Sequence, residues 1–234
     1  SGEDWGRVHD LLAAAGNVSA VFAGHIHRMR YDGVRDGIEY FTLATVGGHQ
    51  SGAVPRAGYL HQFHVVTVRK ERIAVASLPV GTVEDPRRIT GTVSDETRAL
   101  SQLVPEWSAD VALAADGSAV AYLEARLANP TGRPIEATLA AHSADDRWRL
   151  APDHCHVTIP PGEARAVPLA VAREAGTLDA SFAPPEVDLR IDYLATGWRV
   201  EIPAAQHALP LDPGALAAPV RPRGLEGRLV LDGE

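Results

Sequence analysis

Between residues 110 and 208 the chain is cut into short alternating segments by turn signals at Ala115-Asp116-Gly117, Asn129-Pro130-Thr131-Gly132, Pro160-Pro161-Gly162, Pro184-Pro185 and Thr196-Gly197. Punctuation recurring at intervals of about ten residues or more leaves room for strands and little for helices, which is the pattern of sheet packed on sheet. The strands it predicts cover residues 120–127, 135–141, 157–159, 164–171, 187–194 and 198–202, with Trp148 as a core aromatic. No repeat of fixed period accompanies them, so a solenoid or propeller is not indicated.

The first 90 residues have another texture. Trp5, Val8, Leu11 and Leu12 recur at spacings of three and four, which predicts an amphipathic helix over 4–15. Ser1 and Asp4 read as its capping box and Gly16 as its left-handed stop. The apolar run from Val18 to Ala23 follows, short enough for a strand buried on both faces. Residues 39–46 read as a second strand ending in Gly47-Gly48, and 61–68 with 72–78 as a hairpin turning near Lys70-Glu71. One helix followed by strands fits the last third of an α/β sandwich better than a complete layered domain. A short helix is expected over 94–103, with Pro105 as a boundary. Three segments result: 1–90, a sandwich over 106–208, and a proline-, alanine- and glycine-rich linker in 209–234 that ends in a strand-like Arg228-Leu229-Val230-Leu231.

Composition removes several classes of function. Of 234 residues 45% are hydrophobic and 22% charged, which suits a globular chain rather than a disordered one. The formal net charge of -8 supplies no basic field for phosphate backbones, so nucleic acid is not an expected partner. No apolar run approaches the roughly 20 residues that span a bilayer as a helix, so no membrane span is expected. Cys155 is the single cysteine, which excludes an intrachain disulfide or a thiolate cluster within the chain.

One motif carries chemistry. Gly24-His25-Ile26-His27 stands directly after the predicted strand 18–23, at the end of a strand where open sheets place ligands. Residues two apart on extended backbone face the same side, so both imidazoles are expected to reach one crevice, and imidazole is a common ligand of zinc, manganese and iron. Two histidines fall short of the three or four protein ligands that a metal site needs.

Helix, apolar strand and Phe22-Ala23-Gly24-His25-Ile26-His27, followed by Tyr40-Phe41-Thr42-Leu43-Ala44-Thr45-Val46-Gly47-Gly48, resembles the C-terminal third of the calcineurin-like metallophosphoesterases, over residues 1–86. The resemblance implies a fold of class α+β/β: the C-terminal part of a metallophosphoesterase α/β sandwich followed by an all-β immunoglobulin-like sandwich. It also implies that His25 and His27 each ligate one ion of a dinuclear centre of Mn, Fe or Zn that hydrolyses a phosphoester or phosphodiester substrate. The family's other metal blocks, Asp-x-His, Gly-Asp-x-x-Asp, Gly-Asn-His-Asp/Glu and a lone histidine, have no counterpart here and would lie before Ser1. The chain is therefore expected to be part of a longer enzyme, to depend on that upstream part as its partner, to hold metal partially or not at all, and to be inactive alone.

His49, beside Gly47-Gly48, is a candidate substrate-binding residue. His61 and His64 stand three apart in a predicted strand, face opposite sides and are not expected to share a metal. Alternation also separates Cys155 from His154 and His156, leaving Cys155 as a small core residue. Residues 148–163 resemble immunoglobulin-like modules that follow catalytic domains in bacterial extracytoplasmic enzymes. The competing expectation is a non-catalytic sandwich for binding or adhesion, with residues 1–86 as a supporting layer.

Overall fold

A computed structural model describes residues 4–214 apart from Ser51 and Glu71. The capping residue Ser1 and the strand-like 228–231 lie outside the described residues, as does most of the linker expected in 209–234. Fifteen strands and two α-helices are formed among the described residues, so the chain is mostly β.

The second half follows its turn signals closely. β6 (Glu106–Trp107) and β7 (Val111–Ala112) lead into β8 (Ala119–Ala128), β9 (Ile135–His142), β10 (Trp148–Ala151) and β11 (His154–Ile159). β12 (Ala164–Arg173), β13 (Glu186–Ala195), β14 (Trp198–Ala208) and β15 (Leu211–Asp212) complete it. They make two antiparallel sheets, ordered β10-β12-β8-β6 and β11-β9-β13-β14. Alternate residues of both sheets, among them Leu123, Leu127, Val167, Val171, Ile135, Leu139, Leu189 and Tyr193, meet in one core with Trp148. Cys155 packs against that core between exposed His154 and His156, as the alternation requires. Past the expected end of the sandwich, β15 pairs in parallel with β7, and buried Leu209 ties residues 209–212 to the core rather than to a linker.

A charged pair also lies inside. The Arg173 guanidinium donates through Nε (3.1 Å) and Nη2 (2.9 Å) to Asp145, whose side chain is 1% exposed. It also donates to the Gly117 carbonyl and lies over the rings of Trp148 and Phe182. Burial pushes the Asp145 carboxyl up, but the Arg147 amide and the Arg173 guanidinium outweigh it and hold the group below the usual aspartate range.

The first half is thinner. α1 (Trp5–Ala15) stops at Gly16, whose φ of 66° is the left-handed cap its position predicts. β1 (Ala20–Ala23) pairs in parallel with β3 (Ile38–Thr42), and β3 pairs antiparallel with β2 (Arg30–Arg35). Asp36 and Gly37, both at positive φ, make the tight turn between β2 and β3. β4 (Gln62–Arg69) and β5 (Arg72–Pro79) form a separate ribbon. A small core of Met29, Phe41, Val75 and Ile89 joins these pieces. Arg87 locks one side of it by a bidentate pair to Glu39 (2.7 and 2.8 Å), which draws the Glu39 carboxyl down against the opposing effect of burial.

The α/β sandwich expected of residues 1–90, and with it the class α+β/β, is not formed. Such a layer needs helices over both faces of a parallel sheet, whereas β1 has four residues, is half-exposed and finds one parallel partner. α1 is the one α-helix among the described residues of 4–90, and it leaves most of its apolar stripe in solvent: Trp5, Val8 and Leu11 are exposed while His9 is its buried residue. The His9 ring is held by Tyr40 Oη (2.6 Å) and Asp36 Oδ2 (2.7 Å), so polar contacts dock this helix.

The segment between the halves packs on both. α2 (Gly91–Leu100), capped by Thr90, buries Val93, Ser94, Thr97 and Leu100. Val54, Ala57, Val93 and Leu100 belong to the same core as the sandwich residues. Ser94 Oγ donates to the Ala57 carbonyl, and Glu96 accepts from the Gly132 amide and the Tyr193 hydroxyl.

Candidate functional site

β1 ends at Ala23, and Gly24 opens a bend that carries His25 and His27 before β2 starts at Arg30. Both histidines sit at positive φ, 83° and 56°, where side chains other than glycine are uncommon. The chain is bent here rather than extended, so the alternation of a strand does not govern where these rings point. Non-glycine residues in this region cost of order 1–3 kcal/mol each and persist where surrounding contacts over-determine them, most often at functional loops.

Those contacts come from residues 45–61. His27 Nδ1 lies 2.8 Å from the His49 carbonyl oxygen. A carbonyl can only accept, so Nδ1 carries the proton, and in the neutral ring the Nε2 lone pair is left free. The backbone of His27 is held too, its carbonyl accepting from Gln50 Nε2 at 3.1 Å. Gly48 lies close against the ring: a Cβ there would fall 2.8 Å from His27 Cε1 and 2.8 Å from Thr45 Oγ1. A side chain there would have to displace the His27 ring or the Thr45 hydroxyl.

Gly48 is fixed at both ends. Its amide donates to Thr45 Oγ1 at 2.8 Å and its carbonyl accepts from His61 Nε2 at 2.8 Å. The following loop is anchored where Met29 donates to the Gly58 carbonyl (2.8 Å) and Arg28 donates to the Tyr59 hydroxyl (2.6 Å). At Gly58 the φ of 103° and the Met29 oxygen, 2.3 Å from any Cβ, again demand glycine.

His25, His27 and His49 are exposed, and among the described residues the His25 and His49 side chains make no hydrogen bond within the protein. His49 contributes through its backbone, since its carbonyl and not its imidazole meets His27. No group of three or more His, Cys, Asp and Glu side chains converges on a metal position among the described residues. The structure thus places two exposed histidines on one bend and braces one of them, with its further ring nitrogen available. A depression of about 440 Å³ on the neighbouring sheet is lined by Trp5, Ala23, Arg30, Asp32, Tyr40 and Thr42, and the histidines do not border it.

No family model and no curated protein matches the chain. Two solved structures are similar to it in part. The FixG-related protein from Vibrio parahaemolyticus is 12% identical, covering 47% of this chain and 94% of that one at a TM-score of 0.23. The cupredoxin domain of amoB from Nitrosocaldus yellowstonii is 14% identical, covering 46% of this chain and 84% of that one at a TM-score of 0.23. At those scores neither likeness bears on the fold or the chemistry of this chain.

Sequence reasoning found the two histidines and the Gly-Gly step but missed Thr45, Gln50 and His61. Thr45 to Gly48 is a short-range signal, a threonine whose hydroxyl can accept from amides two and three residues on. No spacing rule links His61 to Gly48 across thirteen residues, the separation that the folded loop closes.

Proposed function

We propose that the bend 24–27 is part of a divalent-metal centre for phosphoester or phosphodiester hydrolysis, with His25 and His27 as ligands. The observation that carries this reading is the His27 ring. Its Nδ1–H is committed to a backbone carbonyl, an arrangement that fixes the tautomer and orientation of metal-binding imidazoles and presents Nε2. The positive φ values at both histidines support it, because the fold maintains an unfavourable backbone at the two residues the motif singles out.

The donor set suits Zn, Mn or Fe, yet two imidazoles supply only part of any such site, so the remaining ligands come from polypeptide beyond this set of residues. A pair of bound ions would supply Lewis-acid polarisation of the phosphate and activation of water. The residues of this chain would do the orienting: His25 and His27 bind, Gly48 keeps space beside the ring, and the His49 carbonyl holds the proton at Nδ1. No helix among the described residues is long and apolar enough to cross a membrane.

A Zn²⁺ titration of the full chain tests the reading. Binding should be weak, should shift the His25 and His27 imidazole resonances first, and should vanish in His25→Ala with His27→Ala. Hydrolysis of bis-p-nitrophenyl phosphate should appear only when a polypeptide supplying the other ligands is joined to the chain. Zn²⁺ uptake that is undiminished without both histidines removes the assignment.

A further inference from the structure

We infer that His61 is a positioning residue for His27, acting through the backbone of Gly48; the metal half of this inference rests on the function proposed above. Three observations build it. First, His61 Nε2–H is the donor to the Gly48 carbonyl at 2.8 Å, while Thr45 Oγ1 takes the Gly48 amide at 2.8 Å, so both polar ends of this glycine are pinned. Second, the space where a Gly48 Cβ would stand is filled by His27, with Cε1 at 2.8 Å and Nδ1 at 3.0 Å. Third, the His49 carbonyl that receives the His27 Nδ1 proton belongs to the residue after Gly48, so the orientation of one peptide fixes the position of the next.

The result is a relay of contact rather than of protons. The His61 ring holds the Gly48 carbonyl, the Gly48–His49 segment holds the His27 ring edge, and the Nδ1–H bond leaves Nε2 as the acceptor nitrogen. His61 itself reaches no phosphate or metal in this scheme. Its imidazole is exposed and thirteen residues from Gly48 in sequence, which makes it separable from folding of the core. His64, three residues on, faces the Ser77 hydroxyl at 2.9 Å and has no part in the clamp.

The experiment compares the full chain with His61→Ala and His61→Gln, reading ¹⁵N chemical shifts of the histidine rings without metal and Zn²⁺ affinity in parallel. Glutamine keeps an N–H at the end of the side chain and can still donate to the Gly48 carbonyl. The native chain should show His27 in the Nδ1–H form. His61→Ala should mix in the Nε2–H form and weaken Zn²⁺ binding at His27 by about tenfold, the low end for partners that orient a ligand. His61→Gln should restore the tautomer and bring affinity back to within about twofold of native. If His61→Ala leaves the His27 tautomer and the Zn²⁺ affinity at native values, the inference is wrong. Absence of Zn²⁺ binding in the native chain would count against the function proposed above, while the tautomer comparison would still decide for or against the clamp.

Discussion

β9 and β4 are each eight residues long and each rich in apolar side chains, yet they end in different surroundings. Ile135, Ala137 and Leu139 of β9 are buried against the facing sheet, while Phe63, Val65, Val66 and Val68 of β4 are exposed. The apolar pattern of a strand states a capacity for burial. Whether burial occurs depends on a second sheet or helix within reach, which residues 106–212 supply between their two sheets, and which residues 5–90 find around Met29, Phe41, Val75 and Ile89 and, at Val54 and Ala57, against the sandwich core. The first half compensates with polar clamps: His9 with Asp36 and Tyr40, Arg87 with Glu39, and the Gly48 loop with His27 and His61.

The sharpest way to break this contrast is Asp145→Ala, which leaves the Arg173 guanidinium buried and unpaired. A loss of about 3–5 kcal/mol is expected in urea denaturation of the sandwich. The same pair sets an acid limit. The Asp145 carboxyl is lower in the folded chain than in the unfolded one, so its contribution is complete above the ordinary aspartate value of about 3.9 and disappears as pH falls through the lower folded value. A native-like melting temperature for Asp145→Ala would mean that the charged interior adds nothing to this half.

Next in size, Ile135→Ala should cost about 3 kcal/mol because its side chain is fully buried. Val68→Ala, at 74% exposure, should change stability by less than about 0.5 kcal/mol. Equal effects at the two sites would erase the difference between the halves. Below the Ile135 effect, His9→Ala should release α1 at a cost of about 1–2 kcal/mol, read as faster amide exchange in residues 8–15 with the exchange of β9 and β13 unchanged. At the joint, Glu96→Ala removes the acceptor of Gly132 and Tyr193, a loss of about 1 kcal/mol. Burial, and then the hydrogen bond to Glu96, push the Tyr193 hydroxyl well above its usual value of 10.0, so folding stability from this group is present below pH ~10 and falls above it. Tyr193→Phe should blunt that alkaline loss in a melting series from pH 8 to 11.

The sandwich was legible because its turns and its alternation agree: every strand expected there appears, with ends moved by up to six residues. β6, β7, β10 and β15 were missed, all four residues long or shorter and therefore without a period to detect. In residues 5–90 Gly16 caps α1 at the position the periodicity predicts. The inference from those elements to an α/β layer failed, because it needed helices that these residues do not contain. The helix face misled for a related reason: Trp5, Val8 and Leu11 form a proper stripe, and the contact that docks α1 is a buried histidine between a carboxylate and a phenol. Of the candidate site, residue types near one another in sequence could be read. The partners of the bend could not, since Gln50 meets His27, and His61 meets Gly48, only through the folded loop.

α2 places Ser94 and Glu96 within one turn, the first tied to Ala57 and the second to the β13 and 129–133 side of the sandwich. The short stretch 57–61 then runs directly from that anchor to the ring that pins Gly48. Mechanically the sandwich is a handle. A load applied to it by a tether or a bound neighbour is expected to reach 57–61 through the Ser94–Ala57 bond, and with it the His61 ring that holds the carbonyl beside His27. Force spectroscopy with attachment points in the sandwich and in α1 should find that the histidine bend yields earlier when Glu96 is removed.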